Sequence, residues 1–155
     1  MNTKIKRAFL VIGASLVLAQ LVPVDRTNPP VETALAAPAD VQPILKRSCY
    51  DCHSNLTRWP WYSKVAPVSW LVGRDVHEGR RHLNFSAWNQ LTTEKQQRAI
   101  HDVWRQVSEG EMPMTIYLPL HSDARLSDAD KAALKAWADA TPIPPGGLDR
   151  RRPRD

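Results

Sequence analysis

The chain has 155 residues, about one domain's worth, and carries a formal net charge of +5. That charge sits at the two ends: Lys4, Lys6 and Arg7 near the start, and Arg150, Arg151, Arg152 and Arg154 in the closing "LDRRRPRD". Between Val31 and Leu148 there are 13 basic and 13 acidic residues, so the body is neutral and nucleic-acid binding loses its electrostatic basis.

In residues 1–24 the three basic side chains precede an apolar run from Ala8 to Val24, broken mildly by Gly13, Ser15, Gln20 and Pro23. This is the pattern of an export signal or a membrane anchor. Val17 and Ala19 before Gln20 form a candidate cleavage site, and the run is at the short end of the roughly 17 to 25 residues that span a bilayer. A retained anchor helix is the first reading, and a soluble periplasmic protein cut near Ala19 is the alternative. Either way the basic end stays cytoplasmic and everything after Val24 works in the periplasm, an oxidising compartment.

Residues 25–38, "DRTNPPVETALAAP", are Pro- and Ala-rich without helical periodicity and read as a linker. Residues 142–155, "PIPPGGLDRRRPRD", read as a disordered Pro- and Arg-rich tail. The stretch between, 39–141, is the expected domain, and it shows helical patterns with almost no strand signal. Asp40 is expected to cap a first helix with Val41, Ile44, Leu45 and Cys49 on one face and Pro43 in the first turn. A second begins near Pro67, turns Val68, Leu71, Val72 and Val76 inward and ends near Gly79. A third carries a capping box of Thr93 with Gln96, then Ile100, Val103, Trp104 and Val107, and stops at Gly110. The fourth opens with a capping box of Ser127 and Asp130 and buries Ala133, Leu134 and Trp137. The fold class is therefore all-α.

The first helix leads into "SCYDCHS", which holds both cysteines of the chain. Cys49-Tyr50-Asp51-Cys52-His53 has the attachment spacing of a haem c: two thiols, three positions apart, for thioethers on one edge of the ring, and His53 as proximal iron ligand. A disulfide across so small a loop stabilises little and leaves His53 unexplained. A thiol redox pair wants a preceding strand, and a structural zinc site wants four ligands, whereas His77 and His82 belong to no second cysteine pair.

A sixth ligand is sought in "SEGEMPMTIYLPLH". Met112, stiffened by Pro113, is the first choice and Met114 the second; any of His77, His82, His101 and His121 in that place would give a bis-histidine haem of lower potential. The tryptophans are expected mainly in the core, with Trp59 or Trp61 as a possible haem contact. Arg74, Arg80, Arg81 and Lys64 are candidates to pair the propionates, although Asp75 and Glu78 beside them could neutralise the arginines locally.

"CYDCHSNLTRWPWYSKVAPVSWLVGRDVHEGRRHLNFSAW" and "GEMPMTIYLPLHSDARLSDADKAALKAW", with "QLVPVDRTNPPV" before them, resemble the bacterial haem-binding domain family of membrane-anchored c-type cytochrome-like proteins. The resemblance implies a small cytochrome c-like helical domain around one covalent haem c, with Cys49, Cys52 and His53 in the haem motif and Met112 in the family's Met-Pro element. Met114 and Ser122 stand where the family pattern has prolines, which leaves Met112 and Met114 both in play. The family's domain often accompanies cytochrome c and haem peroxidase domains, so partners of those kinds and single-electron delivery are expected. Two other readings stay on the page: a peroxidase-like or gas- or redox-sensing haem domain with an open or labile sixth position, and a non-haem thiol redox or structural module.

Overall fold

A computed structural model describes residues 2–148; the arginine-rich end expected as a tail falls at 149–155, outside the described residues. Those described form six α-helices and three short 3-10 turns, with one isolated β-bridge, Thr33 to Ala87, and no strand. The all-α expectation holds.

Helix α1, Thr3–Ala19, starts at Asn2, whose side chain accepts from the Lys4 N–H, and none of its residues is buried. Among the described residues no helix is long and apolar enough to cross a membrane. The next helix, α2 (Val41–Ser48), buries Val41, Ile44 and Leu45 as their spacing predicts. Its first turn is closed differently from expectation: Asp40 makes no side-chain cap, and the Val41 and Gln42 N–H groups both donate to the Pro38 carbonyl at 3.0 Å.

Cys49 separates α2 from the single turn α3 (Tyr50–His53), and α4 (Val68–His82) packs against that turn. Gly79, expected near the end of α4, lies inside it. Helix α5 (Thr93–Ser108) is capped by Thr92, one residue before the expected cap, its side chain accepting from the Lys95 N–H, while the Gln96 side chain donates back to the Trp88 and Leu91 carbonyls. Gly110 then takes φ +74°, the left-handed conformation that ends a helix. The capping box at the start of α6 (Asp128–Asp139) is present, and Asp130 also receives Arg47 of α2 at 2.8 Å.

The core joins Val41, Ile44 and Leu45 of α2 to Tyr50, Phe85, Trp88, Val107, Leu134 and Trp137. Leu45 and Leu134 are fully buried, each contributing about 1.5–3 kcal/mol of apolar transfer. Residues 25–38 are extended, as their composition predicts, but they are laid on the domain. The Glu32 and Thr33 N–H groups donate to the Ser86 carbonyl, that of Leu35 donates to Phe85, and Leu35 itself is in the core. At the other end, Arg98 of α5 donates to the Pro145 and Gly147 carbonyls and Pro144 is buried, so 142–148 is folded back on the domain.

Candidate functional site

The motif is one helical turn at the end of α2. The Cys49 carbonyl accepts from the Cys52 and His53 N–H groups at 3.2 and 2.9 Å, which brings residues 49, 52 and 53 around the same turn. Burial pushes the Cys49 thiol up to about 12, with Cys52 adding to it, and pushes Cys52 up to about 11, with Asp51 and Asp75 adding. Both sulfurs are thus protonated thiols at neutral pH. A redox pair of the thioredoxin kind needs a thiol shifted the other way.

His53 is oriented by its backbone neighbours. Its Nδ1 lies 3.1 Å from the Leu83 carbonyl, its ring meets Phe85 edge-on at 6.3 Å, and the Phe85 N–H donates to the His53 carbonyl at 2.8 Å. A carbonyl only accepts, so Nδ1 carries the proton and Nε2 keeps a lone pair. Burial holds the imidazole below its usual pKa, outweighing the Leu83 and Gly79 carbonyls that favour the charged form. This is the tautomer and the protonation state that a metal-ligating histidine needs.

Beside the motif is an apolar cavity of about 240 Å³, walled by Val68, Leu71, Val72 and Val76 of α4 with Cys52 and Met114. Of the motif residues Asp51 and Cys52 are on this wall, whereas Cys49 packs against the core and His53 stands between Leu83 and Phe85. Met112, the first-choice sixth ligand, is not on the wall. It is half-buried at the turn after α5, where its N–H donates to the Gln106 carbonyl at 3.2 Å.

The other candidates are placed as follows. Arg80 is committed to four acceptors: the Ser54 carbonyl (2.8 Å), Thr57 Oγ1 (2.8 Å), the Thr27 carbonyl (3.0 Å) and Asn28 Oδ1 (2.9 Å). It clasps the extended segment 25–38 to the loop after the motif and has no fork left for a propionate. Arg81 is exposed and paired with Glu78, the local neutralisation that its spacing allowed. Trp61 is 75% exposed and meets Tyr62 edge-on, away from the cavity wall. The His101 Nε2 lies 3.1 Å from the Thr141 carbonyl.

Asp51, Arg58, Tyr62, Tyr117 and His121 form a polar cluster on the same cavity wall, and of these His121 alone is among the residues expected near a haem. Asp51, between the two cysteines and largely buried, accepts from the Arg58 N–H (3.0 Å), the Arg58 guanidinium (3.3 Å) and the Tyr117 hydroxyl (2.8 Å). The Tyr117 ring stacks on His121 at 3.9 Å and 7°, and the Tyr62 hydroxyl lies 2.6 Å from His121 Nε2. Burial raises the Tyr117 pKa, and Asp51 raises it further, so Tyr117 is the donor in its bond to Asp51. His121 is one of the histidines weighed as a sixth ligand, whereas no motif in the sequence singles out Tyr117.

The donor set fits a haem: two protonated thiols three positions apart, an imidazole with Nε2 free of its proton, and two loop thioethers of which one shares an apolar wall with Cys52. A clamp for a bare metal ion fits less well, since no group of three or more His, Cys, Asp or Glu side chains converges among the described residues. No curated protein and no solved structure matches the chain. The model of a haem-binding domain family does match, over residues 14–140. That span takes in the motif turn, the clasped segment 25–38 and the methionine loop, and on it the chain belongs to the haem-binding domain family.

Proposed function

We propose that this domain carries one covalent haem c and passes single electrons between partner proteins on the periplasmic side of the cytoplasmic membrane. The observation that carries this reading is His53, one residue after Cys52, with Nδ1 tied to the Leu83 carbonyl so that Nε2 is the ligating nitrogen. Each thiol would add across a vinyl group, its sulfur bonding the ring-side carbon and its proton going to the terminal carbon. A haem so held supplies a one-electron redox centre whose potential depends on the axial ligands and on burial.

The residues divide the rest of the work. Cys49 and Cys52 fix the ring to the end of α2, and His53 is the proximal ligand. The loop from Met112 to His121 supplies the sixth: Met114 has its place on the cavity wall in its favour, and Met112 its Met-Pro element. The valines of α4 make the wall they share with Cys52 apolar. Export is assigned to α1, whose Phe9, Leu10, Val11 and Val17 are exposed and call for a lipid environment.

The test is the visible and near-infrared spectrum of protein matured with haem-attachment machinery. A haemochrome that stays with the polypeptide after denaturation is the expected result, together with the weak sulfur-to-iron band of the oxidised state. Loss of that band in Met112→Ala or in Met114→Ala, but not in both, identifies the ligand. Absence of covalent haem refutes the reading in favour of a thiol or structural module, and a five-coordinate resting spectrum refutes the carrier role in favour of a reactive or sensing haem. Membrane fractionation of the same preparation tests the tether through α1.

A further inference from the structure

The methionine loop is held to the haem-attachment motif by one side chain in its middle. At its start, Glu111 and Met112 donate to the Gln106 carbonyl, and at its end His121 is engaged by Tyr62. Between these points packing is partial: Met114, Tyr117 and Leu118 are half-buried, while Thr115 is exposed and Ile116 and Leu120 are 68% and 67% exposed. The middle is also tied by polar bonds. The Tyr117 N–H donates to the Met114 carbonyl at 3.0 Å, closing a turn around the thioether residue, and the Tyr117 hydroxyl donates to Asp51 Oδ2 at 2.8 Å.

Asp51 is a fixed acceptor. It is flanked by Tyr50 and Cys52 in the motif turn, its carboxylate is held by Arg58, and its carbonyl receives the Thr57 hydroxyl at 2.8 Å. The path from the methionines to the imidazole therefore runs through Met114, Tyr117, Asp51, Cys52 and His53, and among the described residues the side-chain bond that crosses between the loop and the motif is Tyr117 to Asp51.

We propose that the Tyr117–Asp51 hydrogen bond is the latch that keeps the methionine loop in ligating position, which makes Tyr117 a positioning residue for the sixth iron ligand. The inference rests on the haem c reading above. A thioether is a weak neutral ligand, and its hold depends on how little freedom the loop has left to lose. Freeing the loop raises the fraction of molecules with the thioether off the iron, and an external ligand then binds more tightly in proportion to that fraction.

The experiment is imidazole titration of the oxidised holoprotein, comparing wild type with Tyr117→Phe and Asp51→Asn. Removing a bond to a charged acceptor is expected to tighten imidazole binding in Tyr117→Phe by about tenfold or more. Asp51→Asn, which keeps an uncharged acceptor, is expected to tighten it less, and the double variant to match Tyr117→Phe alone, since without the Tyr117 hydroxyl the acceptor's charge no longer bears on the loop. A lowered melting temperature with unchanged imidazole affinity in both single variants overturns the latch and leaves a merely structural bond. Additive effects in the double variant overturn it too. A wild-type protein without haem, or with a five-coordinate haem, overturns the ligand reading and the latch with it.

Discussion

A Cβ placed on Gly79 would lie 2.5 Å from the carbonyl oxygen of Cys52 and 3.0 Å from its carbonyl carbon. The helix α4 therefore meets the motif turn backbone to backbone, and only a residue without a side chain fits there. Gly79→Ala gains about 1 kcal/mol of helix propensity, yet the clash is with main chain and no rotamer relieves it. The expected net loss is about 1–3 kcal/mol in chemical denaturation, accompanied by a lower yield of protein with attached haem. A variant as stable as wild type would show that α4 can move off the turn at no cost.

Arg80 is expected to behave as a structural clasp. Burial lowers its pKa, but the guanidinium remains charged, and its acceptors include two backbone carbonyls that lose a partner when it is removed. Arg80→Met should cost about 2–3 kcal/mol, with Arg80→Lys recovering less than half, because an ammonium cannot reproduce the planar fork. Amide exchange at Glu32, Thr33 and Leu35 should speed up in the same variants. A shift in haem potential with stability and exchange unchanged would return Arg80 to a propionate role.

The contrast between these two residues shows which features the sequence could carry. The spacing of Cys49, Cys52 and His53 is dictated by covalent chemistry within five residues, so it is visible without a fold. The capping box of Ser127 and Asp130 and the glycine stop at Gly110 are equally local. Segment 25–38 is the opposite case. It reads as a linker because its composition lacks periodicity, and what orders it is Arg80, 53 positions from Thr27, together with backbone bonds to Phe85 and Ser86. Asp51 and Tyr117 are 66 positions apart, and nothing in either neighbourhood announces the other.

Asp130 links the start of α6 to α2 and should make that link sensitive to acid. Burial pushes its carboxyl up, but the Ser127 N–H and hydroxyl and the Arg47 guanidinium outweigh it, and the net pKa falls below 3.8. A carboxyl lowered by folding contributes stability above its unfolded pKa and loses it as pH falls through the folded value. Asp130→Ala should therefore cost about 1–2 kcal/mol at neutral pH, the order of the charge-assisted hydrogen bonds it removes, and progressively less on acidification below about pH 4. Melting curves of both proteins across that range are the measurement, and a pH-independent difference would assign the effect to lost packing.

Asp75 on the cavity wall should show the opposite sign. Burial raises its pKa above 3.8, only partly offset by Arg74. A carboxyl raised by folding favours the folded state fully below its unfolded pKa, and that contribution is lost as pH rises through the folded value. Asp75→Asn removes the charge while keeping the shape, so it should melt higher than wild type at neutral pH and converge with it below about pH 4. The same carboxylate bears on the redox centre: a negative charge beside the wall that Cys52 shares favours the more positive, oxidised iron, so the asparagine variant should have the higher reduction potential. If Asp75→Asn melted lower at neutral pH, the carboxylate would have a stabilising partner. If the melting shift appeared without a change in potential, the iron would be too far from this wall for α4 to tune it.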